Sequence, residues 1–176
     1  MDLFMIDPPW PQTKGGRRSI RPNQGSALDY ATLDWRDLWD LLDKDIFSIA
    51  AVQHTVFLWT IDKYLLQTHE EMLARQYKLH ARIIWNKTNG VAPAFTLRFS
   101  HEYLLWFYKP TLIPIAKEQR GKFTTVLTEK ARQHSRKPDA AYALVEALYP
   151  SLCKLDVFSR EKRAGWEQYG DQTDAF

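Results

Sequence analysis

An α/β fold built on a mostly parallel sheet is what this sequence predicts, and three observations carry the reading. Apolar runs of strand length alternate with helix-length amphipathic segments, the pattern of a sheet covered on both faces. The first run, Leu3–Ile6, stops at Asp7-Pro8-Pro9, because successive prolines cannot continue a sheet ladder. No internal repeat, low-complexity tract or linker interrupts the 176 residues, so the chain reads as one domain over 1–176.

The elements follow in order. After the strand at 3–6, residues 11–28 are rich in Gly, Pro, Arg, Ser and Asn without apolar periodicity. They read as a long loop, of a length that in compact domains is functional or mobile. Asp34 can cap a helix running to about Lys44, with Leu38, Leu41 and Leu42 on one face. His54–Thr60 is a buried strand, Ile61–Gln76 an amphipathic helix and Leu79–Trp85 the next strand. A turn region at 86–93 leads to a strand at Glu102–Tyr108, and a short strand is expected at Thr124–Leu127. Pro138 suits the first turn of a helix ending near Tyr149. Strands at Lys154–Phe158 and Trp166–Tyr169 finish the chain.

Composition narrows the class. Residues are 45% hydrophobic and 14% aromatic, with seven tryptophans, seven glycines and nine prolines, which excludes a disordered or collagen-like chain. The one cysteine, Cys153, excludes a disulfide framework and a cysteine-built zinc site. The five histidines show no metal spacing, so no metal is expected. No apolar run approaches the ~18 residues needed to span a bilayer, and Met1–Trp10 lacks the features of a signal peptide. The expectation is a soluble cytoplasmic protein.

Net charge is only +3, but it is unevenly placed. Lys14, Arg17, Arg18 and Arg21 put four positive charges in eight residues, and residues 117–137 carry seven basic side chains against Glu118 and Glu129. Residues 29–45 hold six aspartates. This sidedness fits a face that holds a polyanion, and fits equally a merely solvated surface. Arg17, Arg18 and Arg21 would then clamp phosphates or only solvate the loop.

The chemistry points to Asp7-Pro8-Pro9-Trp10. In an open α/β sheet, ligands bind at the carboxyl ends of strands, and this tetrapeptide sits at such an end. The prolines remove backbone donors, leaving the Pro8 carbonyl free to face the crevice beside the Asp7 carboxylate. Two fixed acceptors match the two hydrogens of a planar amine such as the exocyclic amine of adenine. Trp10 offers a ring on which a base stacks, worth roughly 1–3 kcal/mol. A capped turn with a core tryptophan is the plainer alternative. Trp59, Trp85 and Trp106 lie in apolar runs and read as core, and Lys87 and Asn89 serve either substrate contact or turn chemistry. His101-Glu102 opens a strand and could be a polar pair near the site. The chain lacks G-x-G-x-x-G, P-loop, G-x-S-x-G and zinc-deaminase signatures.

The ordered set of motifs resembles the MT-A70-type adenine N(6)-methyltransferases, in compact bacterial or phage-like form. The set is IDPPW at 6–10, Asp29-Tyr30-Ala31-Thr32-Leu33, FLWT at 57–60, IIWNKTNG at 83–90 and HEYLLW at 101–106. It continues with HSRKPD at 134–139, LDVFSR at 155–160 and GWEQYGDQ at 165–172. The resemblance implies a Rossmann-like S-adenosylmethionine-dependent methyltransferase fold with circularly permuted motif order. It implies that Asp7 and the Pro8 carbonyl hold the target amine while Pro9 and Trp10 shape the pocket. Tyr30 would close over the target base. Lys137 would lie near the cofactor, Arg160 near its ribose, and Asp171 and Gln172 on its ribose and adenine. Lys162 stands where the eukaryotic enzyme has a cofactor-contacting histidine, Asp171 replaces the commoner Asn, and Ser159 replaces Gly or Ala.

The implied activity is methylation of the adenine N(6) amine in DNA, with RNA methylation or a catalytically silent nucleic-acid-binding subunit as alternatives. Nucleic acid is the expected partner, with a homodimer or a second subunit open, and no membrane. Arg17, Arg18, Arg21, Tyr30, Lys87 and Asn89 are the expected nucleic-acid contacts.

Overall fold

The computed structural model describes residues 1–11, 32–89, 97, 99–132 and 136–173. Two compact units are distinguished: Met1–Asp7 together with Ala50–Phe176, and Pro8–Ile49.

The larger unit holds one sheet. Its strands are β1 (Leu3–Ile6), β2 (His54–Thr60), β3 (Lys78–Lys87), β4 (His101–Lys109), β5 (Val126–Glu129), β6 (Lys154–Val157) and β7 (Trp166–Tyr169), in the spatial order β5-β3-β4-β2-β1-β6-β7. β1 pairs in parallel with β2 and β6, β6 with β7, and β3 with β5. β4 is the exception, antiparallel to both β2 and β3. A strand following β3 directly in the chain and pairing with it in parallel would require a crossover back to the sheet's other end. Instead β4 pairs antiparallel with β3, Lys87 N–H donating to Ser100 C=O at 2.8 Å. The mostly parallel sheet read from the sequence is therefore present with one reversed strand.

Alternation along the strands loads both faces. Leu3, Met5, Phe57, Trp59, Ile83, Trp85, Leu104 and Trp106 share one face with α3 (Asp139–Leu148), whose Ala141, Tyr142, Leu144, Val145 and Leu148 complete that core. Phe4, Ile6, Val56, Leu58, Leu105 and Phe107 point the other way and are fully buried. On that second side, the Thr68 hydroxyl of α2 (Leu65–Ala74) lies 3.3 Å from the Thr60 hydroxyl, and His69 stacks on Phe107. A strand buried on both faces reads as an unbroken apolar run, which is what LFMI and HTVFLWT are.

Pro138 is the N-cap of α3, one position earlier than expected. Its missing donor does not cap the helix; Glu129 does. Glu129 Oε1 accepts the Asp139 N–H at 3.1 Å and Oε2 the Ala140 N–H at 2.9 Å, a carboxylate at the positive end of a helix. β5 begins two residues later than the sequence suggested and ends on this glutamate. In the smaller unit, Asp34 caps α1 (Trp35–Leu41) as expected, accepting the Asp37 N–H at 2.8 Å. Among the described residues, no helix is long and apolar enough to cross a membrane.

Candidate active site

β1 lies in the middle of the sheet with a parallel neighbour on each side, so its carboxyl end is the crevice where such sheets bind ligands. Asp7 sits there, its N–H donating to Val157 C=O of β6 at 3.1 Å. That bond continues the ladder one residue beyond β1 and fixes the carboxylate at the strand end.

Asp7 starts an alternating chain of charges. Lys137 Nζ lies 2.8 Å from Asp7 Oδ1 and 3.3 Å from Glu102 Oε2. The other Glu102 oxygen accepts from Lys87. Indole rings lie beneath both cations, with Lys137 Nζ 5.6 Å from the Trp59 ring and Lys87 Nζ 4.7 Å from the Trp85 ring. Topology brings the four together. Lys87 ends β3, Glu102 is the second residue of β4 and pairs with Trp85, and Lys137 precedes α3. Glu129 anchors that last segment through the helix cap.

Position in this chain sets each group's charge. Burial pushes the Asp7 carboxyl above its ordinary range against the pull of the Lys137 ammonium. Burial alone would raise Glu102 as well, but Lys137 and Lys87 outweigh it and hold Glu102 below the ordinary range. Burial would lower Lys137, yet Asp7 and Glu102 raise it. Lys137 is thus a fixed cation clamping the Asp7 carboxylate.

A second buried acid lies close by. Asp156 of β6 is 1% exposed. Its register partner is Met5, so it shares the α3 face with Asp7. Burial raises its carboxyl to about 7, with Tyr142 and Ser159 beside it. Arg163 caps this region, its guanidinium 3.8 Å from the Tyr142 ring centre. Arg163 also pairs with Asp139 and Glu161, and Glu161 with Arg136.

The remaining sequence-predicted residues divide clearly. In the smaller unit, the Pro8 carbonyl is not free: it accepts the Trp10 N–H at 2.8 Å. Pro9 lacks a donor but its carbonyl accepts the Leu33 N–H at 3.3 Å. Trp10 is 6% exposed and stacks on Trp35 at 5.6 Å, so its ring is packed on a neighbour and not presented for stacking. The tight turn at Pro8–Trp10 engages one lone pair of the Pro8 carbonyl and leaves the other, while the Trp35 ring is what covers Trp10. Tyr30, Arg17, Arg18 and Arg21 lie outside the described residues.

In the larger unit, Lys87 joins the charge chain, and Asn89 Nδ2 donates to Ala131 C=O at 3.2 Å, joining the segments that follow β3 and β5. Trp59, Trp85 and Trp106 are core. Of the His101-Glu102 pair, Glu102 reaches Lys137, while His101 turns to the Tyr103 hydroxyl at 3.0 Å. Asp156 escaped the sequence reading, because an acid in an apolar strand run carries no signal of which face it takes.

Arg160, Lys162, Asp171 and Gln172 follow the carboxyl ends of β6 and β7, with Lys162 and Asp171 exposed. Phe158 N–H donates to Tyr169 C=O at 2.6 Å, tying the two ends together. Gly170, at φ +149°, lies so close that a Cβ would sit 3.2 Å from the Phe158 Cα. Only glycine tolerates both that dihedral and that approach.

The chain is similar in sequence to several known proteins. An MT-A70-like protein of Medicago truncatula is 30% identical over 97% of this chain, which spans 26% of its length. The type II methyltransferase M.MunI of Mycoplasma sp is 28% identical over 96% of this chain and 76% of its own. The N6-methyladenosine RNA methyltransferase MTA1 of Pyricularia oryzae is 26% identical over 97% of this chain and 46% of its own. The chain thus spans about a quarter of the plant relative's length. The MT-A70 family profile matches residues 1–172, a span that includes every residue of the charge chain, so the chain belongs to the MT-A70 family.

Proposed function

We propose that this chain transfers a methyl group from S-adenosylmethionine to the N(6) amine of adenine in DNA. The observation that carries the reading is the Asp7 carboxylate, held at the carboxyl end of the central strand by Lys137, in a chain of this family. DNA is favoured because the match to M.MunI covers most of both chains. An RNA substrate is the second reading, supported by the likeness to MTA1.

The residues present suit S-adenosylmethionine. The loops after β6 and β7 are drawn together at Phe158 and Gly170. They carry an exposed carboxylate at Asp171 for ribose hydroxyls, the Gln172 amide for an adenine edge, and the cations Arg160 and Lys162. When bound, the cofactor supplies an electrophilic methyl group on a sulfonium.

The chain's own residues then do the following. Lys137 occupies Asp7 Oδ1, which leaves Oδ2 to accept one N–H of the target amine. Pro8, next in the chain, is the second acceptor; its carbonyl oxygen keeps one lone pair beyond the Trp10 N–H. Two acceptors fix the amine plane and draw its lone pair out of ring conjugation. Asp7 acts as an orienting, charge-stabilising group, and positioning of this kind can supply effective molarities on the order of 10⁵ M. The target base would be flipped out or already unpaired.

The test is transfer of labelled methyl to matched DNA and RNA oligonucleotides, single- and double-stranded, followed by nucleoside analysis. N(6)-methyladenine in DNA is expected, and Asp7→Ala should abolish it while cofactor still binds by calorimetry. Label in RNA alone would move the assignment to the second reading. Full activity of Asp7→Ala would overturn the mechanism.

A further inference from the structure

The seven basic side chains of residues 117–137 fall into two groups. Three are spent inside the protein: Lys137 on Asp7 and Glu102, Arg132 on Asp139 and Glu129, and Arg136 on Glu161. The other four, Lys117, Arg120, Lys122 and Lys130, are exposed, and none of their side chains enters an ion pair among the described residues. Uncommitted cations in this density are the electrostatic footprint of a polyanion.

Local structure presents them rigidly. Lys122 N–H donates to Gln119 C=O at 3.2 Å. Between them Arg120 is extended (φ −61°, ψ 125°) and Gly121 has φ +74°. These are the dihedrals of a type II turn, which requires glycine at its third position. The turn sets Arg120 and Lys122 on either side of its tip. Phe123 follows, 44% exposed, an aromatic ring set among the cations.

The patch connects to the active site along a sheet edge. β5 is the outermost strand beside β3, and its last residue, Glu129, pairs in register with Lys87. Lys87 belongs to the charge chain that ends on Asp7, so Lys130 follows the active-site end of the edge strand, and Lys117–Phe123 lead in the chain toward its other end. Phe123 and Glu129 are six positions apart, at most ~20 Å of extended chain. That is about six nucleotides of one duplex strand at ~3.4 Å each.

We propose that this edge tracks the phosphodiester backbone of the substrate beside the target base. Lys117, Arg120, Lys122 and Lys130 hold successive phosphates, and Phe123 stacks an unpaired base. The inference rests on the nucleic-acid reading above and adds the surface that would hold the flanking strand. Nucleic acid fits better than an acidic protein. The cations precede and follow the edge strand, with an exposed aromatic ring next to them in the chain, which suits repeating phosphates and bases.

The experiment compares wild type with a triple Lys117→Gln, Arg120→Gln, Lys122→Gln variant. Two substrates are used: one extending two nucleotides either side of the target adenine, one extending ten or more. The variant should raise KM for the long substrate about tenfold at low salt and flatten the log–log salt slope of binding by about 2. Its kcat, its KM for the short substrate and its melting temperature should stay as in wild type. Phe123→Ala should weaken single-strand binding several-fold with no change of salt slope, and Phe123→Tyr should restore it. An unchanged slope in the triple variant overturns the proposal, as does an equal rise of KM for both lengths. So does an intact slope accompanied by lost binding to an acidic protein. Failure of wild type to methylate any nucleic acid is the distinct failure of the underlying reading. In that case the salt slope of plain binding still decides this surface.

Discussion

Lys137 Nζ lies 2.8 Å from Asp7 Oδ1 and 3.3 Å from Glu102 Oε2, so one ammonium bridges two carboxylates at the head of the central strand. Lys137 thereby pulls the Asp7 pKa down against the burial that raises it above the ordinary range. Glu102 holds Lys137 in turn, and Lys87 holds Glu102.

Lys137→Ala should therefore do more than remove a contact. It leaves the Asp7 carboxylate facing Glu102 with no cation between them, Lys87 remaining on the far oxygen of Glu102, which costs roughly 2–4 kcal/mol, somewhat below the cost of breaking a fully buried pair. Urea denaturation measures it. A Lys137→Met, Glu102→Gln double variant should recover most of that stability while methyl transfer stays lost. Equal stability of Lys137→Ala and wild type would remove the bridge from the account.

Glu102→Gln tests the electrostatic coupling. The Glu102 charge helps to raise the Asp7 carboxyl, so its removal should lower the Asp7 pKa. The acid limb of the kcat–pH profile should then move to lower pH. A shift to higher pH would contradict the geometry.

Asp156 predicts a pH-dependent stability. Its folded pKa of about 7 lies above the unfolded value, so the native state binds its proton more tightly. That contribution is fully present below about pH 4 and is lost as pH rises to 7, at up to ~1.4 kcal/mol per pH unit. Asp156→Asn carries no such proton. Its stability relative to wild type should rise from pH 5 to pH 7 and level off above, as read by urea denaturation at four pH values. The comparison with wild type cancels His54 and His80, whose lowered pKa values act in the opposite direction. A constant difference across that range would show that Asp156 does not titrate there.

Gly170→Ala places a methyl group 3.2 Å from the Phe158 backbone at φ +149°. The strain should cost about 1–3 kcal/mol and move the turn that carries Asp171 and Gln172. Thermal melting should show the stability loss, and calorimetric titration should show S-adenosylmethionine affinity falling at least tenfold. Unchanged affinity would separate this turn from cofactor binding.

Much of this was legible before any coordinates. The central strands β1 and β2 were visible because a strand buried on both faces must be apolar throughout, as LFMI and HTVFLWT are. The end of β1 was marked by prolines, whose missing donors are a property of the residue itself. Asp34 was legible as a cap because its partner, Asp37, lies three residues away.

Other features were out of reach. Nothing local makes β4 antiparallel, since direction depends on which strand the chain meets after its turn. Glu129 as the cap of α3 joins residues ten apart in sequence. The Trp10–Trp35 stack joins residues 25 apart in sequence.

The sequence by itself determined the class of fold, the strand ends and the residue types able to hold an amine. These depend on period, proline chemistry and apolarity, which act within a few neighbours. The tertiary structure alone decided which charges meet. Lys137 is 130 positions from Asp7 and 35 from Glu102, and a Coulomb interaction worth having needs a few ångströms. It decided too that Arg132, Arg136 and Lys137 are consumed by acids while Lys117, Arg120, Lys122 and Lys130 remain on the surface. Composition counts charges, and only a fold pairs them.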